Sequence, residues 1–252
     1  MPPVSAPAAA TQPPARYKLE RDMLDPLARQ VPSVLRLPAA PRMRVLREVD
    51  LGRVIPDLLI GVWRARTSAP ARARSDYVEA HVLAALQEDG ASTGPEIADR
   101  IRIAPARTLL ALARLARRGA ITATPGGAWV LHTPWSSGSA EVIAVEAKLE
   151  RWRDALAQAA SYLEFADRSY VVLDGARVAA VPAVLESFAN VGVGLLLLTD
   201  GRLRLAARAI QFRPHSVRRV NALDRLFERS RTPVAAPRFP APSDDQRPLV
   251  GA

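Results

Sequence analysis

Residues 142–149 read VIAVEAKL, an apolar run interrupted by Glu146 and Lys148 two positions apart. Side chains at i and i+2 of a strand leave on the same side, so the carboxylate and the ammonium project together while Ala147 faces the other way. Lysine is rare in this chain: of 35 basic residues only Lys18 and Lys148 are lysine. An ion pair buried on one strand is expensive unless it performs a task. Hydrolysis of a phosphodiester is such a task. Carboxylates hold a hard divalent cation such as Mg2+ or Mn2+, and a compact ammonium orients or helps deprotonate the attacking water and offsets charge on the phosphorane. Arginine serves less well, because its delocalised guanidinium keeps its proton. The plainer reading is a surface pair on an edge strand, and the apolar neighbours speak against it.

Such a site needs a second carboxylate on a neighbouring strand. Asp57 in IPDLLIG, preceded by Pro56, meets the requirement; otherwise it is an aspartate capping a turn at a strand end. Here the sequence resembles the PD-(D/E)XK nuclease superfamily, whose motif sets Pro-Asp on one strand and Glu-x-Lys on the next, as Pro56-Asp57 and Glu146-Ala147-Lys148. The 89 residues between Asp57 and Glu146 fall to 16, an ordinary distance for strands joined by a turn, once residues 67–139 are set aside as an insertion. In the RecB-like branch the next helix carries Gln-x-x-x-Tyr. Gln158 and Tyr162 have that spacing, and residues four apart share a helix face; the alternative places both at the edge of the helix's core face. The resemblance implies Asp57 and Glu146 as metal ligands, Lys148 beside the nucleophilic water, and Gln158 and Tyr162 positioning the nucleic-acid backbone or that water. In several branches the first helix adds an acid, for which Glu20 is the counterpart, with Glu48 and Asp50 as rivals.

The elements that must position these residues follow from periodicity. YKLERDMLDPLARQ (17–30) predicts an amphipathic helix, and MRVLREVDLG (43–52) and VIPDLLIGVW (54–63) two strands joined by a tight turn. RARTSAPARAR (64–74) and TPWSSGSA (133–140) mark boundaries. After the second come the strand with Glu146, a helix over 149–167, a buried strand SYVVL (169–173), a helix VPAVLESFAN (181–190), a hairpin turning at Asp200-Gly201, and a closing helix at 216–230. Strands alternating with helices on both sides of an insertion predict an α/β fold. The resemblance implies a restriction-endonuclease-like mixed sheet core with halves at 17–66 and 140–230.

Residues 75–132 have a different pattern. SDYVEAHVLAALQEDG predicts a helix ending at Gly90, TGPEIADRIRI a short second helix, and APARTLLALARLARRGA a third with Leu109, Leu112 and Leu115 inward. ITATPGGAWVLH predicts a hairpin tipped by Pro125-Gly126-Gly127. That order resembles a winged helix-turn-helix, which implies a third helix in the major groove and a hairpin along the backbone. Arg107, Arg114 and Arg118 fall on one face of that helix and are the candidate DNA contacts. The segment balances six acids against six arginines, so protein binding stays open.

The chain has 252 residues, 49% of them hydrophobic, and a net charge of +10. Positive charge is clustered: six arginines and no acid between Arg100 and Arg118, and nine arginines against Asp224 and Glu228 over 202–231. Clustering of this kind suits a phosphate-tracking surface. The absence of cysteine excludes thiolate metal sites and a Cys nucleophile, and three scattered histidines offer no ligand spacing. There is no Gly-rich phosphate loop. The Pro- and Ala-rich ends, 1–16 and 231–252, predict disordered tails. Without a signal-peptide pattern or an apolar run of spanning length, the expectation is a cytoplasmic protein free of the membrane. These features and the resemblance lead to a metal-dependent DNA endonuclease or exonuclease acting on duplex DNA in restriction, repair or defence, with a homodimer possible. The rivals are a non-catalytic DNA-binding regulator and a protein-binding adaptor on the same scaffold.

Overall fold

Leu58–Trp63, Ala140–Lys148, Arg168–Asp174 and Gly194–Thr199 are apolar on both faces, and such strands need cover above and below. In the computed structural model, which describes residues 17–38, 42–63, 73–132, 140–178 and 181–228, these four form the centre of a six-stranded mixed sheet. The expected tails and most of the first linker lie outside the described residues.

In chain order the elements are α1 (Arg21–Val34), β1 (Met43–Arg47), β2 (Leu58–Trp63), α2 (Tyr77–Asp89), β3 (Ser92–Thr93), α3 (Gly94–Ile101), α4 (Pro105–Arg117), β4 (Ile121–Ala123), β5 (Ala128–Leu131), β6 (Ala140–Lys148), α5 (Trp152–Ser161), β7 (Arg168–Asp174), α6 (Pro182–Val191), β8 (Gly194–Thr199), β9 (Arg202–Ala207) and α7 (Val217–Phe227). The large sheet runs β1-β2-β6-β7-β8-β9. β1, β2 and β6 pair antiparallel; β6, β7 and β8 pair parallel, with α5 and α6 as the crossovers that parallel strands require; β9 returns antiparallel to β8. One face packs on α1 through Met23, Leu24, Leu27 and Val31. The other packs on α5, α6 and α7. The fold is mixed α/β, as the alternation of elements predicts.

The first two strands are shorter than expected. Residues 48–57 form a loop, with Glu48 and Gly52 at positive φ and the Glu48 amide donating to the Asp57 carbonyl. Asp57 therefore stands at the loop's exit, immediately before β2. Gly61 lets α7 close over β2, since a Cβ there would lie 3.0 Å from Leu226 Cδ1.

Residues 75–132 fold around their own core, with Val82, Leu83, Leu86, Ile97, Leu112 and Leu115 at its centre and Val220 of α7 joining from the larger unit. Its strands order β3-β5-β4. Reciprocal capping by Asp76 with Glu79, and Thr93 with Glu96, fixes the starts of α2 and α3. Leu109 is not inward as its spacing suggested. Thr108 takes the buried position, its hydroxyl turned to the carbonyls of Ile103 and Ala104, and the next residue along the helix is left 55% exposed. Among the described residues no helix is long and apolar enough to cross a membrane.

α7 is tied down by a buried charge. Arg219, 1% exposed, donates to the carbonyls of Phe165 and Ala140 and to Asp167 Oδ2 at 2.9 Å, and that same oxygen accepts from the Val142 amide at 2.6 Å. Removing one member of such a pair strands the other in the interior. Arg219→Ala is expected to lose about 3–5 kcal/mol of stability by urea unfolding; a loss no larger than that of an exposed arginine would show that the network is not structural.

Candidate active site

Leu58 pairs with Val145 in the antiparallel β2–β6 ladder, so the residue before Leu58 meets the residues after Val145. Asp57 Oδ2 accepts the Ala147 amide at 2.7 Å. Glu146, 3% exposed, has one oxygen 3.0 Å from Lys148 Nζ and accepts at the other from the Tyr162 hydroxyl at 2.5 Å. Lys148 Nζ also donates to Glu20 Oε2 at 3.1 Å, reaching the residue before α1. Asp57, Glu146, Lys148, Tyr162 and Glu20 thus meet at one end of the sheet, although sequence separates them by up to 142 positions.

The electrostatics follow from this crowding. Burial raises the Asp57 carboxyl, and the charges of Glu146 and Glu20 add to it against the opposing Ala147 amide and Lys148, leaving it pushed up to about 6. Burial pulls Lys148 down, but its hydrogen bonds and charge contacts with Glu146 and Glu20 outweigh that and hold it above the usual lysine range. Lys148 is therefore a charged donor in this state. Tyr162 is raised well above an ordinary phenol by burial and by Glu146, and so stays a donor too.

Asp57, Glu146 and Glu20 stand around one ammonium, and Asp57 is raised chiefly by its burial, with the charges of Glu146 and Glu20 adding to it. Asp57 and Glu146 are oxygen donors of the kind a hard cation such as Mg2+ or Mn2+ takes, and such a cation would offset the charge they bury. Among the described residues no group of three or more His, Asp or Glu side chains is placed to hold a metal ion; Glu20 is turned to Lys148.

Other candidates fall elsewhere. Gln158 is exposed on α5, and no described contact joins its side chain to the site. The chain tightens into a 3-10 turn at Tyr162–Glu164, and only Tyr162 of the pair enters the core. Glu48 and Asp50 serve the 48–57 loop: Glu48 occupies its positive-φ turn, and Asp50 Oδ1 accepts the Gly52 amide. Of the three arginines predicted to face DNA together, Arg114 is paired with Asp76 at 2.6 Å and Glu79 at 3.1 Å, and Arg118 with Glu79 at 2.6 Å. Arg107 alone is exposed without a described carboxylate partner. Beside it Tyr77 and Leu110 are also exposed, so this face is more apolar and less charged than the spacing implied.

Sequence reasoning passed over Asp174 and Arg177. Asp174 ends β7, one residue beyond the Leu173 that pairs with Lys148, and is 1% exposed. Arg177 lies 3.6 Å from it and donates at 3.0 Å to the carbonyl of Tyr17, on the segment leading to Glu20. The signal was present: an Asp-Gly closing a buried parallel strand, at the end of the sheet where α/β proteins place their sites.

No family model and no curated protein matches the chain. Among solved structures, a protein of unknown function from Silicibacter pomeroyi is similar over 80% of each chain at 17% identity, with a TM-score of 0.35, a likeness too slight to bear on fold or function.

A carboxyl raised in the folded state above its unfolded value near 3.8 stabilises the fold fully below that value, and the contribution is lost as pH rises through about 6. The metal-free protein is expected to lose this part of its stability across that window. Asp57→Asn, which can still accept the Ala147 amide, lacks that decline and is the more stable protein above it. Urea unfolding in chelator across the range checks this; parallel curves for the two proteins would show that Asp57 is not strained.

Proposed function

We propose that the chain is a metal-dependent DNA nuclease of the PD-(D/E)XK type, an endonuclease or exonuclease, with a restriction-endonuclease-like core and a winged helix inserted between its halves. The observation that carries this reading is the convergence of Asp57, Glu146 and Lys148, from segments 89 residues apart, on paired strands, with Lys148 Nζ 3.0 Å from Glu146. Paired strands β2 and β6 on either side of the 75–132 unit, and the order of three helices and a Gly-tipped hairpin within it, support the same reading.

Each residue then has a role. Asp57 and Glu146 would hold the divalent cation, which supplies Lewis-acid activation of the phosphoryl group and of water. The Ala147 amide fixes Asp57, and Tyr162 fixes Glu146. Lys148, kept charged by Glu146 and Glu20, orients the nucleophilic water by donating to it and offsets charge growing on the phosphoryl oxygens. Glu20 orients Lys148, and Gln158 is outside this set.

A second reading concerns the insertion alone. Neutralised Arg114 and Arg118, beside exposed Tyr77 and Leu110, favour a protein contact over a major-groove contact for this α4 face. This leaves the nuclease site untouched.

Linear, supercoiled and single-stranded DNA incubated with Mg2+ or Mn2+ test the main reading. Cutting is expected from the native chain, with at least about a hundredfold loss in Lys148→Ala and Asp57→Ala at matched folding. Tyr162→Phe is expected to retain cutting at a reduced rate. Cutting that survives both of the first two substitutions would overturn the assignment.

A further inference from the structure

The nine arginines between 202 and 231 separate into distinct groups once placed. Arg219 is buried on Asp167, Arg218 pairs with Glu164, and Arg225 reaches the Asp50 carbonyl. Arg229 and Arg231 lie outside the described residues. Arg202, Arg204, Arg208 and Arg213 are exposed, none has an ion pair with a described carboxylate, and residues 202–216 contain no Asp or Glu.

The register of the sheet says which of the four share a face with the site. Lys148 pairs with Leu173, Leu173 with Leu197, and Leu197 with Arg204. Residues in one cross-strand row point to the same side, so Arg204 leaves the sheet on the face of Lys148, three strand spacings or about 14 Å away. Arg202, opposite Thr199, is on that face and nearer the end where β6 delivers Lys148. Arg208 follows β9, and Arg213 follows Phe212, whose amide donates to the Asp167 carbonyl just before β7, which puts both towards the opposite end of the sheet.

We propose that Arg202 and Arg204 bind phosphates of duplex DNA along edge strand β9 and align it with the Lys148 site; this rests on the nuclease reading. A separation of about 14 Å corresponds to about four base-pair steps of a duplex; because α5 and α6 cover Leu173 and Leu197 in between, the backbone would pass along the end of the sheet where β6 delivers Lys148 and β9 begins at Arg202. Arginine suits this contact because its planar fork grips phosphate oxygens in pairs. Edge strands also carry charge simply to block pairing with another sheet. That role involves no nucleic acid, so it predicts no greater loss of DNA binding on removing Arg202 and Arg204 than on removing the two arginines at the opposite end.

The experiment uses that contrast. Binding of a fluorescently labelled DNA duplex to the full chain is measured by anisotropy over a salt series in chelator, for the native chain, for Arg202→Ala with Arg204→Ala, and for Arg208→Ala with Arg213→Ala. Both double variants remove the same charge from exposed positions, and urea midpoints check that they fold alike. The first is expected to bind about tenfold or more weakly and to lower the slope of log affinity against log salt by about 1.8, or about 0.9 for each phosphate contact. The second is expected to stay within about threefold of native. Equal losses in the two variants, no loss in the first, or no binding by the native chain would each overturn the proposal. Cleavage separates it from the reading on which it rests. A native chain that cuts, with a first variant that binds and cuts as well, sinks the arginine track and leaves the nuclease. Selective loss of binding in the first variant, with a native chain that cuts in neither Mg2+ nor Mn2+, sinks the nuclease and leaves the track.

Discussion

The pairing of Leu58 with Val145 fixes where Asp57 meets the Glu146–Lys148 segment, and the remaining geometry of the site depends on it. A one-residue slip of β2 on β6 would turn every side chain of β2 to the other face, burying Gly61 and Leu59 where Ile60 and Leu58 now pack on α1. That penalty is large because both faces of the strand are buried. Three features hold the register: the Ala147 amide on Asp57, Gly61 beneath Leu226, and the two different cores above and below the sheet. The site is positioned mainly by hydrophobic packing, with the Ala147 amide on Asp57 as the one polar contact among the three.

With the backbone so fixed, the polar groups constrain one another. Glu146 is almost fully buried, and an unpaired charge there would be costly. It is kept company by a phenol and an ammonium, each donating to a different oxygen. The ammonium is in turn shared with Glu20, which joins α1 to the end of β6. Lysine can bridge the two because it is a point charge with three donors on a flexible stem. A guanidinium would have to lie flat against both.

The central strands, the helix order and the shared side of Glu146 and Lys148 were legible because each depends on local pattern: an apolar run, helical spacing, two residues apart on a strand; Asp57, 89 residues away, was joined to them through the resemblance. The resemblance pointed to Gln158 and Tyr162 together, but only Tyr162 turns inward to Glu146 while Gln158 stays exposed on α5, which a spacing of four residues does not decide. The loop at 48–57 was missed because Val, Leu and Ile at 49, 51, 54 and 55 read as strand, while Glu48 takes a positive φ that its residue type does not announce. Leu109 shows the same limit on α4. Its spacing allowed either side, and the buried hydroxyl of Thr108 decided it.

The arginines teach a different lesson, because their count in sequence says little about the field they make. Arg114 and Arg118 share a helix face, as their spacing requires, yet Asp76 and Glu79 arrive from another helix and cancel them. Those two acids are there to cap α2, with Glu79 completing the cap. A residue chosen for local helix geometry therefore sets the electrostatics of a surface 35 or more positions away in sequence. No cap lies near β9, whose neighbours along the edge are Leu, Ala and Gly. Asp200 stands at the turn before β9, but no ion pair joins Arg202 or Arg204 to a described carboxylate, and in water such exposed charge is what a polyanion meets first.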